Sequence, residues 1–273
     1  MATSINTNYG AAVALQNLNA TNAMLERTQN RVSTGLKVGS AKDNGAIYAI
    51  ATTQRANMGA MDAVRNSLQR GQSIVDVALA AGDTITAALE EMKSLAVSIQ
   101  SSVAGSAAET SYLADFKALG KEIDEALKGA SFDSVNLWTE ATPTALVSDI
   151  AGGTMSVGFT ATGGMATDTD IAAVTDQSIS ATDVTVDLVD DAIAKVTSSL
   201  STLGTQSKSI GRQLTFVNKL QDSTEAGIGN LVDADLAKES AKLTALQTKQ
   251  QLGVQALSIA NQGSSILLSL FRN

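Results

Sequence analysis

The sequence predicts a mostly α fold, an antiparallel bundle or long coiled rod of helices with one small region of short strands and turns. Three observations carry it. The 273 residues contain a single proline, Pro143, so long helices run without the residue that most strongly breaks them. Alanine, the strongest helix former, occurs 43 times. Apolar residues return at three-, four- and seven-residue spacings everywhere except 146–184, where Val157, Phe159 and Ile171 stand among Gly152, Gly153, Gly163 and Gly164.

Taken in order, Ser4 is expected to cap a first helix in which Ala11, Leu18, Leu25 and Val32 recur every seven residues before the breakers Ser33, Thr34 and Gly35. It spans roughly 40 Å at about 1.5 Å per residue. A second helical stretch, about Ile47 to Gln100, places Val64, Leu68, Val75, Leu79, Leu89, Met92, Leu95 and Ile99 on one stripe. A third lies near Glu109 to Lys128, striped by Leu113, Phe116, Leu119, Ile123 and Leu127. After the glycine-rich segment, Leu188, Ile193, Val196, Leu200, Leu203, Ile210, Leu214 and Val217 stripe a helix from Val184 to about Leu220. Asp233 or Asp235 then caps a run through Phe271, with Leu236, Leu243 and Leu257 on one stripe and Leu246, Ala260 and Leu267 beside it. Both terminal helices are apolar enough to need a partner and too polar to cross a bilayer, so they pair with each other or with neighbouring molecules.

Composition narrows the function. With no His and no Cys, the chain has no Ser-His-Asp or Cys-His nucleophile, no zinc site of the usual Cys/His kind and no disulfide. Carboxylate chemistry remains, but the neighbouring acids Glu90 and Glu91, or Asp190 and Asp191, lie on different helix bearings without an accompanying base. No enzyme activity, cofactor or metal is expected. Charge is unevenly placed: 19 bases face 27 acids, yet no base stands between Lys128 and Lys195, a span holding ten acids from Asp133 to Asp191. The acidic middle thus accounts for the net charge of −8, while residues 1–50 carry +2 and 230–273 carry +1. Such a surface repels nucleic acid and anionic lipid, so neither nucleic-acid binding nor membrane insertion is expected.

Several segments carry a resemblance. Ser4-Ile-Asn-Thr-Asn8, Asn17-Leu18, Arg31-Val-Ser-Thr-Gly-Leu-Lys-Val-Gly-Ser-Ala41, Asp43-Asn44 and Ala49-Ile-Ala51 form an amino-terminal signature. It continues through Arg65-Asn66, Gly71, Leu95-Ala-Val97, and Ser131-Phe132 leading to Asn136-Leu137, and is matched at the other end by Ala256-Leu-Ser-Ile-Ala-Asn-Gln262 and Ile266-Leu-Leu-Ser-Leu-Phe271. These segments resemble bacterial flagellin, in particular the alphaproteobacterial, Caulobacter type; the acidic middle carries no part of the match.

The resemblance implies that residues 1–45 and 230–273 pair as an inner coiled-coil domain, and that 46–229 form an outer helical domain with a strand-rich part near 137–184. It implies a structural subunit that polymerises into a flagellar filament for swimming motility. Its implied partners are further copies of itself, hook-junction proteins, the filament cap and an export chaperone. It also implies an extracellular location reached by flagellar type III export; the start, Met1 to Tyr9, lacks the basic and apolar regions of a cleaved signal peptide. Some relatives bear sugars on such hydroxyl-rich segments as 161–207. The alternatives are a hook–filament junction protein, sharing the long helical ends but forming only a short ring, and a surface adhesion or binding module centred on the acidic middle. Candidate inter-subunit packing residues are Leu18, Leu25, Val32, Leu243, Leu257 and Leu267 on the stripes, Arg31 and Asp43 at the joint with Lys37 and Lys42, and Gln54, Arg65 and Asn66 beyond it. Asn6, Asn8, Asn17, Asn19 and Asn22 are read either as polar-face residues or as interfacial hydrogen bonders. Glu91 stands where immune-activating flagellins carry an arginine, which implies weak recognition by the innate immune receptor.

Overall fold

The structure, a computed structural model, describes residues 8–160 and 165–270, with side chains described up to 262 in the last helix. The elements are α1 (Tyr9–Thr34), α2 (Gly45–Ser101), α3 (Ala107–Gly129), β1 (Thr144–Val147), β2 (Thr154–Val157), α4 (Thr169–Thr175), α5 (Val186–Val232) and α6 (Leu236–Leu270). The fold is therefore mostly α with one small sheet. Packing divides the chain into two compact units, Met1–Ala56 with Ser223–Asn273, and Asn57–Asp222.

In the first unit α1 and α6 lie side by side. The half-buried and buried residues of α1 include Ala11, Ala14, Leu18, Thr21, Leu25, Thr28 and Val32, alternating three and four apart; those of α6 include Glu239, Leu243, Leu246, Gln250, Gly253, Leu257 and Ala260 in the same rhythm. This is the seam of a coiled coil. The sequence pattern marks every second seam position of α1 and misses the ones between, because these are Ala or Thr rather than Leu. Leu236 does not join the α6 stripe; it stands 49% exposed in the first turn. Asn8 caps α1, its side-chain oxygen accepting from the Ala11 amide at 3.0 Å; Ser4 lies outside the described residues. At the other end Gly35 takes the left-handed conformation, φ 72°, and returns its amide to the Arg31 carbonyl at 2.9 Å. Of the two candidate caps for α6, Asp235 accepts from the Lys238 amide at 3.1 Å.

The second unit has a continuous core built from α2, α3, α5 and the segment between α3 and α5. Val64, Leu68, Val75, Leu89, Met92 and Ile99 of α2 are buried, as the periodicity requires, with Leu79 and Leu95 packed partly against them. α5 continues past the expected end near Leu220 to Val232, since its glycines weaken a helix without blocking it. The predicted strand region holds one antiparallel hairpin, Thr144 opposite Val157 and Val147 opposite Thr154. Its turn is tied by Asp149, whose Oδ1 accepts from the amides of Ala151 (2.8 Å) and Gly153 (2.9 Å). Leu146 of β1 occupies the space a side chain at Gly71 of α2 would need. Ile171 belongs to neither a strand nor a turn but to the short helix α4, capped by Asp168, where Ile171 and Val174 are both buried. α4 lies so close to α3 that the Val174 carbonyl comes within 2.7 Å of where a Cβ on Gly120 would stand.

Trp138, the sole tryptophan, is fully buried between these layers. Its indole N–H donates to the Ala78 carbonyl of α2 at 2.9 Å, and its ring lies 5.6 Å from that of Phe159. Asn136, two residues earlier, donates to the Leu127 (2.8 Å) and Lys128 (3.2 Å) carbonyls at the end of α3 and accepts from the Trp138 amide at 3.0 Å. The turn before it, Asp133 and Ser134 at φ 51° and 63°, closes a bridge between Phe132 and Val135.

Candidate assembly interface

The α1–α6 seam runs antiparallel and its cross-links fall in strict order. Asn8 Nδ2 donates to the Ala260 carbonyl at 2.7 Å, Leu18 lies against Gly253, and Gln250 Nε2 donates to Asn22 Oδ1 at 2.8 Å. Arg31 pairs with Glu239 at 3.2 Å, and beyond α1 the Ala234 amide reaches the Gly35 carbonyl at 2.8 Å while the Lys37 amide reaches that of Val232 at 2.7 Å. Leu18, Leu25, Val32, Leu243 and Leu257 are thus placed inside the chain's own helix pair; Leu267 lies among the residues whose side chains are not described.

The loop between α1 and α2 is organised by Asp43. Its Oδ2 accepts from the amides of Gly39 (3.2 Å) and Ser40 (3.0 Å) and from the Ser40 hydroxyl (3.0 Å). The Ser40 hydroxyl chiefly holds the Asp43 carboxyl below its ordinary value; desolvation opposes it, and the Ser40 and Gly39 amides and the positive charge of Arg31 add to the lowering. An open groove of about 620 Å³ runs from Glu26 and Arg27 past Arg31 and Thr34 to Lys42 and Asp43.

Of the other candidates, Arg65 belongs to a network inside the second unit. It binds Asp62 at 2.8 Å and donates to Gln221 at 3.3 Å, while Gln221 returns a bond to Asp62 at 3.1 Å. Gln54 is half-buried, and Asn66 and Glu91 are exposed on α2.

Sequence patterning overlooks the opposite face of the terminal helices. No charged residue occurs from Met1 to Leu25 or from Gln250 to Phe271. Within those stretches Tyr9 (83% exposed), Leu15, Met24, Leu252, Val254 and Ile259 (69% exposed) point away from the seam. All charges of the pair are gathered nearer the α1–α2 loop, at Glu26, Arg27, Arg31, Lys238, Glu239, Lys242 and Lys249. The absence of charge was the available signal; a search for apolar stripes alone does not register it. Among the described residues no group of three or more metal-ligating side chains gathers. What the unit offers chemically is helix surface, apolar and amide-bearing, in an otherwise acidic chain.

Comparison with known proteins assigns both helical ends to one family. A family model of the bacterial flagellin N-terminal helical region matches residues 5–142, and one of the flagellin C-terminal helical region matches 186–271. The chain belongs to the bacterial flagellin family. It is 50% identical to flagellin FljM of Caulobacter vibrioides over 98% of both chains, and 38% identical to the flagellin of Brucella melitensis over 98% of this chain and 99% of that one. The two family models leave 143–185 uncovered, the acidic hairpin segment. The full-length match to the Caulobacter flagellin corrects the expectation for that segment, which does have counterparts among alphaproteobacterial flagellins. The signature residues now have physical roles: Asn136 closes α3, Asp43 holds the α1–α2 loop, and Gly71 admits Leu146 of the hairpin.

Proposed function

We infer that the chain is the structural subunit of a bacterial flagellar filament, polymerising with copies of itself for swimming motility. The observation that carries this is the uncharged, partly apolar outer face of the α1–α6 pair, in a chain whose family is flagellin. A heterologous contact that repeats along a polymer recurs in every copy, so any unpaired charge buried in it is desolvated each time, a cost that amides and apolar groups avoid. Such a pair buries only a narrow seam by itself, so burial against further copies supplies the stabilisation a lone helix pair lacks. Leu18, Leu25, Val32, Leu243 and Leu257 act in assembly by holding the pair together; Arg31 and Asp43 shape the surface at its loop end, and Gln54, Arg65 and Asn66 contribute polar contacts between copies. Residues 1–45 and 230–273 serve as the inner coiled-coil domain and 46–229 as the outer one.

Hook-junction proteins, a filament cap and an export chaperone are the further partners of this reading, and export through the flagellar type III apparatus its route to the cell exterior. Among the described residues no helix is long and apolar enough to cross a membrane. Glu91, exposed where an arginine would be needed, gives weak innate-receptor recognition, which a reporter-cell assay on pure monomer reads directly.

The deciding experiment adds filament fragments to purified chain and follows elongation by electron cryomicroscopy. Unlimited growth with the α1–α6 pair inside supports the filament subunit; growth that stops at a short ring supports the junction protein instead.

A further inference from the structure

We propose that the Arg31–Glu239 ion pair is a register lock, fixing which of several equivalent alignments α1 and α6 adopt. The inference goes beyond the filament reading and does not depend on it. The seam is made of two seven-residue repeats filled largely by small or similar side chains: Ala11, Ala14, Leu18, Thr21 and Leu25 against Leu243, Leu246, Gln250, Gly253 and Leu257. Sliding one helix by seven residues sets seam against seam again, so apolar burial alone discriminates weakly between alignments.

The ion pair discriminates strongly. A slide in one direction brings Arg31 to the level of Leu246; a slide in the other brings Glu239 to the level of Met24 and Leu25. Either strands a charge against apolar side chains in a place where its present partner is 3.2 Å away and the two side chains are only 23% and 12% exposed. The pair has the marks of a device for specificity rather than strength. Arg31 Nε and Glu239 Oε2 are buried without a hydrogen-bond partner, and Lys242 Nζ stands 3.9 Å from that oxygen. Incomplete satisfaction makes the pair a poor source of stability, whereas breaking it is unfavourable in every other alignment. The backbone bonds from Gly35, Lys37 and Val38 to Val232 and Ala234 lie at the same level. Those bonds join residues at the helix ends, where backbone groups lack intrahelical partners, so they favour the same alignment; removing the ion pair alone separates its contribution from theirs. A single alignment gives every copy the same outer face, with Leu15 and Met24 fixed relative to Leu252 and Ile259.

The chain has no cysteine, so introduced pairs report alignment cleanly. A Cβ built on Gly253 lies 3.9 Å from that of Leu18, which suits a disulfide. In the full chain, before and after assembly, mild oxidation is expected to cross-link Leu18→Cys with Gly253→Cys within one molecule and to leave Leu25→Cys with Gly253→Cys open. Adding Arg31→Leu with Glu239→Leu should raise the intramolecular Leu25→Cys/Gly253→Cys product about tenfold, while helix content by circular dichroism and the thermal midpoint hold or rise. The charge-swapped variant, Arg31→Glu with Glu239→Arg, should restore the single alignment. The proposal is overturned if the apolar variant still cross-links only between 18 and 253, which assigns the register to the backbone bonds. It is equally overturned if the parent cross-links both pairs alike, or if the charge-swapped variant does.

Discussion

At the scale of single residues, the chain spends its polar side chains on holding backbone ends. Asn136 makes three hydrogen bonds from a site 7% exposed, closing α3 and orienting Trp138. Replacing it with Ala leaves two carbonyls and an amide unanswered. The expected cost is about 1–3 kcal/mol, read from thermal unfolding followed by the emission of the single tryptophan; an unchanged midpoint would contradict the capping role. Asp43 does the same for the α1–α2 loop, with a pH signature. Its carboxyl titrates lower in the folded loop than in the unfolded chain, where 3.8 is the ordinary value. Its stabilisation is therefore complete above that unfolded value and is lost as pH falls through the lower folded one. Amide exchange at Gly39 and Ser40 in the monomer should accelerate, relative to intrinsic rates, as pH drops from about 5 to about 2. In Asp43→Asn that pH-dependent change should disappear.

At the scale of elements, glycines decide where helices are approached closely. Gly71 and Gly59 both lie in α2, but only Gly71 is occupied, by Leu146 of the hairpin, whereas nothing stands within 4 Å of a Cβ on Gly59. Gly71→Val should push the hairpin off α2 and destabilise the chain by about 1–3 kcal/mol. Gly59→Ala should stabilise it by about 0.5–1 kcal/mol through helix propensity alone. Chemical denaturation of the two variants gives the opposite signs directly. The contrast also explains what was legible beforehand. The long helices were, since Val64, Leu68 and Leu89, or Phe116 and Ile123, repeat a period that no other element produces. α4 was not, because seven residues hold barely two turns and its only marks are Asp168 and the pair Ile171 and Val174. The second half of the α1 seam was hidden for another reason: Thr21 and Thr28 are polar by composition yet sit in the interface, their small size admitting close helix approach. The distant partners of Arg31 and Arg65 were equally out of reach, since Glu239 is 208 positions from the first and Gln221 is 156 from the second; only Asp62, three residues before Arg65, lies at a helical spacing.

At the scale of the whole molecule, charge is separated along the chain, and the separation bears on assembly in a testable direction. The net charge of −8 arises from the stretch between Lys128 and Lys195, while the outer parts of both terminal helices carry no charge at all. On the proposed reading, copies approaching one another repel through their acidic segments and gain through uncharged helix faces that salt does not weaken by screening. Electrostatic repulsion between exposed charges is screened beyond about 8–10 Å at physiological ionic strength, against about 30 Å at 0.01 M. Raising sodium chloride over that range should speed seeded elongation, because it shortens the repulsion and leaves apolar contacts intact. If the inter-copy contacts were instead dominated by exposed ion pairs, the same salt would slow elongation. A single charge on the uncharged face tests the other half: Ile259→Lys would repeat one positive charge in every copy and require its desolvation wherever that face is covered. Elongation should fall at least about tenfold, with the second unit's thermal unfolding unchanged. Normal elongation by Ile259→Lys would mean that filament contacts leave this face in water.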